Sequence, residues 1–142
     1  MKVDIRSYLS SDYEKVKALY LDSSLYGGQF DEARDAKEVL EKKIQQDPHA
    51  ILVAEINGIM VGSISYIEDG RVAMLFRFVV QKQSMEEEVT EALFNKARTY
   101  LKEKGHTQIL VYTPTHDERL QERYRLLGLR RGEDYTCYWQ DI

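Results

Sequence analysis

Two glycine-containing turns divide the middle of the sequence into three short apolar runs that are rich in β-branched residues. Both central positions of a type I′ turn need positive φ, so Asn57-Gly58 is a strong signal for a β-hairpin. Asp69-Gly70 indicates a second turn. Residues 50–56, 59–67 and 72–80 are therefore predicted to form an antiparallel meander of three strands.

The segments around this meander carry helical and strand periodicities in a definite order. Alternation predicts strands near residues 3–9, 109–113 and 135–140, and apolar spacing predicts helices starting near 11–14 and over 31–46, 84–104 and 115–127. The strands on either side of the long third helix form a βαβ unit and should be parallel. The order is β-α-α-β-β-β-α-β-α-β, an α+β (α/β three-layer) fold with a mixed, mostly antiparallel sheet flanked by helices.

Composition limits the classes of protein that fit this pattern. The chain has 142 residues, which suits a single domain over 1–142, and its net charge of -4 argues against a generic nucleic-acid binder. No apolar run approaches the roughly 20 residues of a membrane span. Cys137 is the one cysteine, so no intramolecular disulfide is possible, and a cytoplasmic location is expected.

Two segments resemble motifs of the GNAT superfamily of N-acetyltransferases, as does the element order of nearly the whole chain. VVQKQSMEEEVTEALFNKARTYLKEKG is similar to the family's fourth strand, pyrophosphate loop and long helix. TPTHDERLQERYRLLGL is similar to its late motif, with Tyr124 four residues before Gly128. The family usually has Phe after that glycine and often Asn seven residues before the tyrosine, whereas this chain has Leu129 and Asp117.

The resemblance implies an acyltransferase that moves the acetyl group of acetyl-CoA to an amine, carried by a small molecule or a peptide. Acetyl-CoA would lie between the splayed fourth and fifth strands, with its pantetheine paired to the backbone near Phe78, Val79 and Val80. The amine would attack the thioester directly, and Tyr124 would protonate the leaving thiolate. A carboxylate or a water chain would deprotonate the amine.

The pyrophosphate loop departs from the family's pattern. The family has Arg or Gln, then Gly, then Gly or Ala where this chain has Met85, Glu88 and Thr90, and the resemblance places cofactor-binding residues at Met85, Glu88, Val89 and Thr90. Glycines let the backbone approach a phosphate closely at a helix N-terminus. Acidic residues crowd this helix start instead, at Glu86, Glu87, Glu88 and Glu91. Ser84 and Glu87 also form a capping-box pattern that would satisfy the free N–H groups.

The unusual loop keeps two other functions open. One is a catalytically inactive GNAT-fold protein that acts as a small-ligand-binding or regulatory module. The other is an interaction module, a homodimer joined through its late strands. Acetyl-CoA binding separates both from the transferase, because only the transferase requires it.

A few further residues were candidates for chemistry. His49, His106 and His116 are dispersed, so no metal site is predicted. Cys137 alternates with Tyr135 and Trp139 and is predicted to be a buried, inert thiol. Arg77 lies within an apolar strand and is expected to face a ligand or to pair with Glu55 or Glu68. The stretch YGGQF, residues 26–30, suits either a mobile lid or an ordinary helix-breaking loop.

Overall fold

The order of helices and strands in the computed structural model follows the predicted order as far as the long third α-helix. The structure describes residues 2–22 and 29–142. Its elements are β1 (Val3–Ser7), a 3-10 helix (Ser10–Asp12), α1 (Tyr13–Leu21), α2 (Lys37–Gln46), β2 (Ile51–Ile56), β3 (Ile59–Glu68), β4 (Ala73–Val80), α3 (Glu86–Glu103) and α4 (Glu118–Leu126).

The four strands form one sheet in the order β1-β2-β3-β4, and every neighbouring pair is antiparallel. The predicted hairpin is confirmed, because Asn57 and Gly58 both have positive φ, at 52° and 76°. Beyond β4, a parallel bridge joins Met74 to Leu110. The fifth strand thus has the predicted parallel direction, but it is a single bridge rather than a strand over 109–113.

Helices cover both faces of this sheet. Val53 and Val79 share a buried cluster with residues of α1, so α1 lies on their face. Gly62 pairs with Ala54, which alternates with Val53 along β2 and therefore points to the opposite face. A Cβ on Gly62 would lie 3.1 Å from Leu93 Cδ1 and 3.2 Å from Val89 Cγ1. The glycine thus lets α3 approach this second face closely.

The first two helices begin differently from the sequence prediction. The predicted capping box at residues 11–14 is wrong, because α1 has Asp12 as its N-cap with no side-chain capping hydrogen bond. Oδ2 of Asp12 instead accepts the N–H of Leu9 at 2.8 Å and caps the preceding 3-10 helix. The second helix begins at Lys37 rather than at Asp31, because Oδ1 of Asp31 accepts the N–H groups of Ala33 and Arg34 and closes a turn there.

The chain divides into two compact units, Met1–Val111 and Tyr112–Ile142. The second unit contains α4, which Asp117 caps by accepting the N–H of Leu120 at 3.0 Å. The predicted capping box starting at residue 115 is therefore wrong by two positions. Gly128, with φ 93°, ends the helix as predicted. A single domain over residues 1–142 remains a prediction.

The predicted last strand, residues 135–140, is wrong. The structure assigns it no strand pairing, and Tyr135 and Trp139 are 74% and 80% exposed. Cys137 is exposed as well, so the prediction of a buried thiol is also wrong. Alternation of apolar residues favours a strand, but a strand forms only where a partner supplies hydrogen bonds.

None of the described helices combines the length and the apolar character that crossing a membrane requires.

Candidate active site

The sequence resemblance predicts that a ligand binds at the end of β4. A bulge interrupts the pairing of β3 with β4, since Ser65 pairs with Phe76 but Ser63 pairs with Val79. Two residues of β4, one of them Arg77, therefore oppose a single residue of β3. Arg77 adopts a left-handed backbone, with φ 50°. Bulges of this kind redirect side chains and backbone groups, and they are common beside functional sites.

The bulge determines which groups of β4 face the open edge of the sheet. Gln81 donates its N–H to Val61 of β3 at 2.7 Å. Successive amides of a strand point to opposite sides, so the N–H of Val80 points away from β3. Phe78, Val79 and Val80 all have buried side chains, so only their backbone is positioned for a ligand running along the edge.

Residues 81–85 lead from β4 directly into α3. Oε1 of Gln83 accepts the N–H of Met85 at 2.7 Å, and the carbonyl oxygen of Gln83 accepts the N–H of Glu86 at 3.2 Å. Met85 is the N-cap, and its side chain makes no capping hydrogen bond. The predicted capping box of Ser84 and Glu87 is therefore wrong, because the helix has its N-cap one residue later, at Met85.

Two N–H groups in the first turn of α3 remain without an acceptor among the described residues. Val89 donates its N–H to the carbonyl oxygen of Met85 at 2.9 Å, but the N–H groups of Glu87 and Glu88 have no such bond. Such groups carry the positive end of the helix dipole and can bind an anion. The backbone of α3 thus retains the geometry of an anion site that its side chains do not favour.

Side chains of the same turn either point inward or carry negative charge. Glu87 and Glu88 are exposed. Val89 is fully buried, and Thr90 donates its hydroxyl to the carbonyl oxygen of Glu86 at 2.7 Å. Of the predicted cofactor-binding residues, Met85, Glu88, Val89 and Thr90 thus lie together at the start of α3. Phe78, Val79 and Val80 end β4, and four residues separate them from Met85.

The buried side chain of Arg77 pairs with Asp35, which the sequence analysis did not identify. Arg77 Nη2 lies 2.8 Å from Asp35 Oδ2, and the two side chains are 6% and 1% exposed. Neither expected partner is used, since Glu55 binds Arg6 and Glu68 binds His106. Asp35 lies 42 residues from Arg77 and belongs to no periodic pattern, so no local signal identifies it.

Tyr124 lies in α4 of the second unit, and its side chain is buried. Burial raises the pKa of its phenol above the usual 10. The hydroxyl is therefore protonated at neutral pH, as a proton donor must be. Its carbonyl oxygen accepts the N–H of Leu129 at 3.0 Å, which closes the end of the helix.

The remaining candidates form no additional site. Among the residues that the structure describes, no group of three or more His, Cys, Asp and Glu side chains could hold a metal ion. His49 stacks on Tyr100 with ring centroids 3.9 Å apart, and His106 binds Glu68 at 2.9 Å. Of the stretch 26–30, only Gln29 and Phe30 lie within the described residues.

An antiparallel sheet with two helices after its first strand, a long helix after its fourth and a parallel bridge beyond is the fold of the GNAT N-acetyltransferases. The protein has this fold.

Solved structures with a similar fold include N-acetyltransferases. AAC(6')-Iy, in complex with the bisubstrate analogue CoA-S-monomethyl-acetylneamine, is 20% identical, with a TM-score of 0.79 and 100% of each chain covered. PaiA N-acetyltransferase from Thermoplasma acidophilum, in complex with coenzyme A, is 20% identical, with a TM-score of 0.72 over 89% of this chain and 88% of that one. Ard1 from Thermoplasma volcanium is 18% identical, with a TM-score of 0.73 over 90% and 82%. The sequence matches no protein-family model.

Proposed function

We propose that the protein is an N-acetyltransferase that takes the acetyl group from acetyl-CoA and transfers it to an amine. The amine nitrogen forms a bond to the thioester carbonyl carbon, and the carbon–sulfur bond breaks. The amine loses a proton to a carboxylate or to water, and the thiolate gains one. The products are an amide and coenzyme A.

The observation that carries this proposal is the continuity of two backbone features. The N–H of Val80 points to the open edge of the sheet. Six residues further on, α3 begins at Glu86, and its first turn contains the unbonded N–H groups of Glu87 and Glu88. An edge strand followed at once by a free helix N-terminus suits a ligand that has an amide-containing arm and a pyrophosphate. Acetyl-CoA is such a ligand.

The carboxylates of Glu87 and Glu88 act against this ligand, because they are exposed at the same helix end as the free N–H groups. Interactions between exposed charges are worth about 0.2–1 kcal/mol each. Glu87→Gln with Glu88→Gln should therefore tighten acetyl-CoA binding, by roughly 2- to 30-fold. Glu103→Gln, at the far end of α3, is the matched control and should leave the affinity unchanged.

Titration calorimetry with acetyl-CoA tests the proposal most directly. We expect saturable binding by the unaltered protein and tighter binding by the double glutamine variant. The absence of binding at millimolar acetyl-CoA would rule out the transferase. Equal affinity of the double variant and the unaltered protein would show that the acidic helix start does not oppose the pyrophosphate.

Tyr124 is our candidate for the proton donor to the leaving thiolate. A phenol holds its proton at neutral pH, and general acids contribute roughly 10²- to 10⁴-fold to a rate. Tyr124→Phe should lower kcat by a factor in that range and leave the Kd for acetyl-CoA unchanged. Tyr112→Phe removes a hydroxyl from a 65% exposed side chain and should have no effect.

The acceptor is proposed only as a class, an amine on a small molecule or on a peptide. AAC(6')-Iy was solved with an acetylneamine analogue of its two substrates, so neamine is a reasonable first probe. A linear polyamine and a peptide with a free α-amino group complete a panel of three amine types. Release of the coenzyme A thiol reports turnover for each of them.

A second copy of the chain is the proposed protein partner. Tyr135, Tyr138 and Trp139 are 74%, 91% and 80% exposed. Apolar side chains this exposed are typical of an interface. Light scattering should show a mass that rises with concentration, and Trp139→Ser should abolish the rise. A constant monomer mass would contradict the proposal.

Cytoplasmic location is proposed from the thiol. Cys137 is unpaired and exposed, and such a thiol persists in a reducing compartment.

A further inference from the structure

Arg77 has a backbone conformation that few residues with a side chain adopt. Its φ is 50°, and it lies in the bulge between the pairs Ser65–Phe76 and Ser63–Val79. A residue with a side chain is unfavourable in this conformation, whereas glycine adopts it without steric cost. Something in the surrounding structure must hold Arg77 in this conformation.

The guanidinium of Arg77 is bound from the same direction by two residues of one segment. Its Nε donates to both carboxylate oxygens of Asp35 at 3.1 Å, its Nη2 donates to Oδ2 at 2.8 Å, and its Nη1 donates to Oε1 of Gln29 at 2.9 Å. Both charged side chains are almost entirely buried. This pairing fixes the direction in which the arginine leaves the strand.

Asp35 is itself held in place by its own segment and by α1. Its Oδ2 accepts the N–H of Asp31 at 2.9 Å, and its N–H donates to the carbonyl oxygen of Asp31 at 2.8 Å. The hydroxyl of Tyr13 donates to the carbonyl oxygen of Asp35 at 2.9 Å. The carboxylate of Asp35 is therefore held in one position, in which it binds the guanidinium of Arg77.

Buried ion pairs stabilise proteins little, because desolvation offsets their attraction, but they can select one arrangement over another. Here the two arrangements are the pairing of β3 with β4 with and without the bulge, and they differ in register. Without the extra residue of the bulge, Val79 and Val80 would exchange faces, and the N–H that now points to the open edge would point to β3.

We propose that Arg77 and Asp35 are a positioning pair that holds the β4 bulge and thereby directs the N–H of Val80 to the open edge of the sheet. For its consequence in acetyl-CoA binding, the inference rests on the proposed function. The pair itself touches no substrate; it acts through the backbone of β4.

Comparison of Arg77→Gln with Arg77→Gly tests this role. Both variants remove the guanidinium, but glycine tolerates positive φ and glutamine does not. We expect Arg77→Gln to speed amide exchange at Val79 and Gln81 at least tenfold, and to weaken acetyl-CoA binding by a similar factor. Arg77→Gly should stay within about threefold of the unaltered protein in both measurements. A role in packing alone predicts the reverse order, since glycine leaves the larger cavity.

Further variants distinguish the proposed role of the pair from a general loss of folding. Arg77→Gly and Arg77→Gln alone each leave the buried carboxylate of Asp35 unpaired. The comparison is therefore repeated with Asp35→Asn added to both variants, and we expect glutamine to speed exchange more than glycine there as well. Arg77→Lys keeps a cation but not the planar fork, and it replaces Arg77→Gln if that variant does not fold. The amides of Leu93 and Leu101 in α3 are internal references and should exchange at unchanged rates in every variant.

The two proposals can fail separately. If the unaltered protein does not bind acetyl-CoA, the proposed function is wrong, and the exchange rates at Val79 and Gln81 still decide the inference. If Arg77→Gln and Arg77→Gly exchange equally at these amides, or if the glycine variant exchanges faster, the pair does not hold the bulge.

Discussion

Tyr66 donates its hydroxyl to Oδ2 of Asp47 at 2.6 Å, and both residues are buried. The same carboxylate lies 3.2 Å from Nζ of Lys104, which follows the last turn of α3. The tyrosine of β3, the residue after α2 and the end of α3 thus meet at one end of the sheet. The hydrogen bond is charge-assisted, and Asp47 has little water to replace it.

Tyr66→Phe should therefore lower the free energy of unfolding by about 1–3 kcal/mol, because it leaves a buried carboxylate short of a donor. Urea denaturation at neutral pH measures the change. Tyr138→Phe removes a hydroxyl from a side chain that is 91% exposed and should change stability by less than about 0.5 kcal/mol. Equal effects of the two variants would contradict the role given to this bond.

Gly62→Ala should destabilise the protein by about 1–3 kcal/mol, the usual cost of forcing extra volume into a packed region. The added Cβ would lie 3.1 Å from both Leu93 Cδ1 and the carbonyl oxygen of Val79. Gly132 has no atom within 4 Å of its corresponding position, so Gly132→Ala is the matched control. Thermal unfolding of both variants measures the difference, and similar melting temperatures would show that α3 can move away from the sheet at little cost.

Asp12 should contribute to the acid sensitivity of the fold. The guanidinium of Arg6 donates to both of its oxygens, at 2.7 and 2.9 Å, and lowers its pKa below the usual 3.8. Because the folded-state pKa is the lower one, the unfolded chain binds more protons near pH 4. The stabilisation is therefore complete above the unfolded pKa and is lost as the pH falls through the folded one.

Asp12→Asn tests this dependence. The variant should be less stable than the unaltered protein at pH 7, and the gap between them should narrow below about pH 4. Urea titrations at several pH values measure it. Asp141→Asn changes an exposed carboxylate and should give a small difference at every pH. A gap for Asp12→Asn that does not change with pH would contradict the prediction.

Asp117→Ala should weaken α4. The carboxylate of Asp117 accepts the N–H of Leu120, and loss of an N-cap costs about 0.5–2 kcal/mol. Faster amide exchange at Leu120 would report the loss locally. Asp117→Asn keeps an equally good cap and should restore protection, which separates the hydrogen bond from the charge. Failure of the asparagine variant to protect Leu120 would assign the effect to charge alone.

The features that the sequence predicted correctly are local ones. The turn at Asn57-Gly58 depends on the backbone freedom of two adjacent residues, and the stop at Gly105, with φ 93°, depends on one. The long helix follows from apolar spacing over many turns. Each of these signals lies within the segment it describes, so periodicity and turn chemistry are enough.

Features that depend on distant partners were missed. Arg77 stands out within an apolar strand, but its partner Asp35 lies in a different segment. Residues 135–140 have the alternation of a strand and lack the partner that a strand needs. At the start of α3, the sequence favours Ser84 as the N-cap, but the backbone places the N-cap at Met85. The unbonded N–H groups of Glu87 and Glu88 could therefore not be predicted from the amino-acid sequence.

Close packing at Gly62 has a consequence for the loop of residues 81–85. Val89 and Leu93 are held against the sheet one to two turns into α3, so contacts outside the loop fix the position of the first helical turn. The direction of the amides of Glu87 and Glu88 therefore depends on the packing of Val89 and Leu93 more than on which residues occupy the loop.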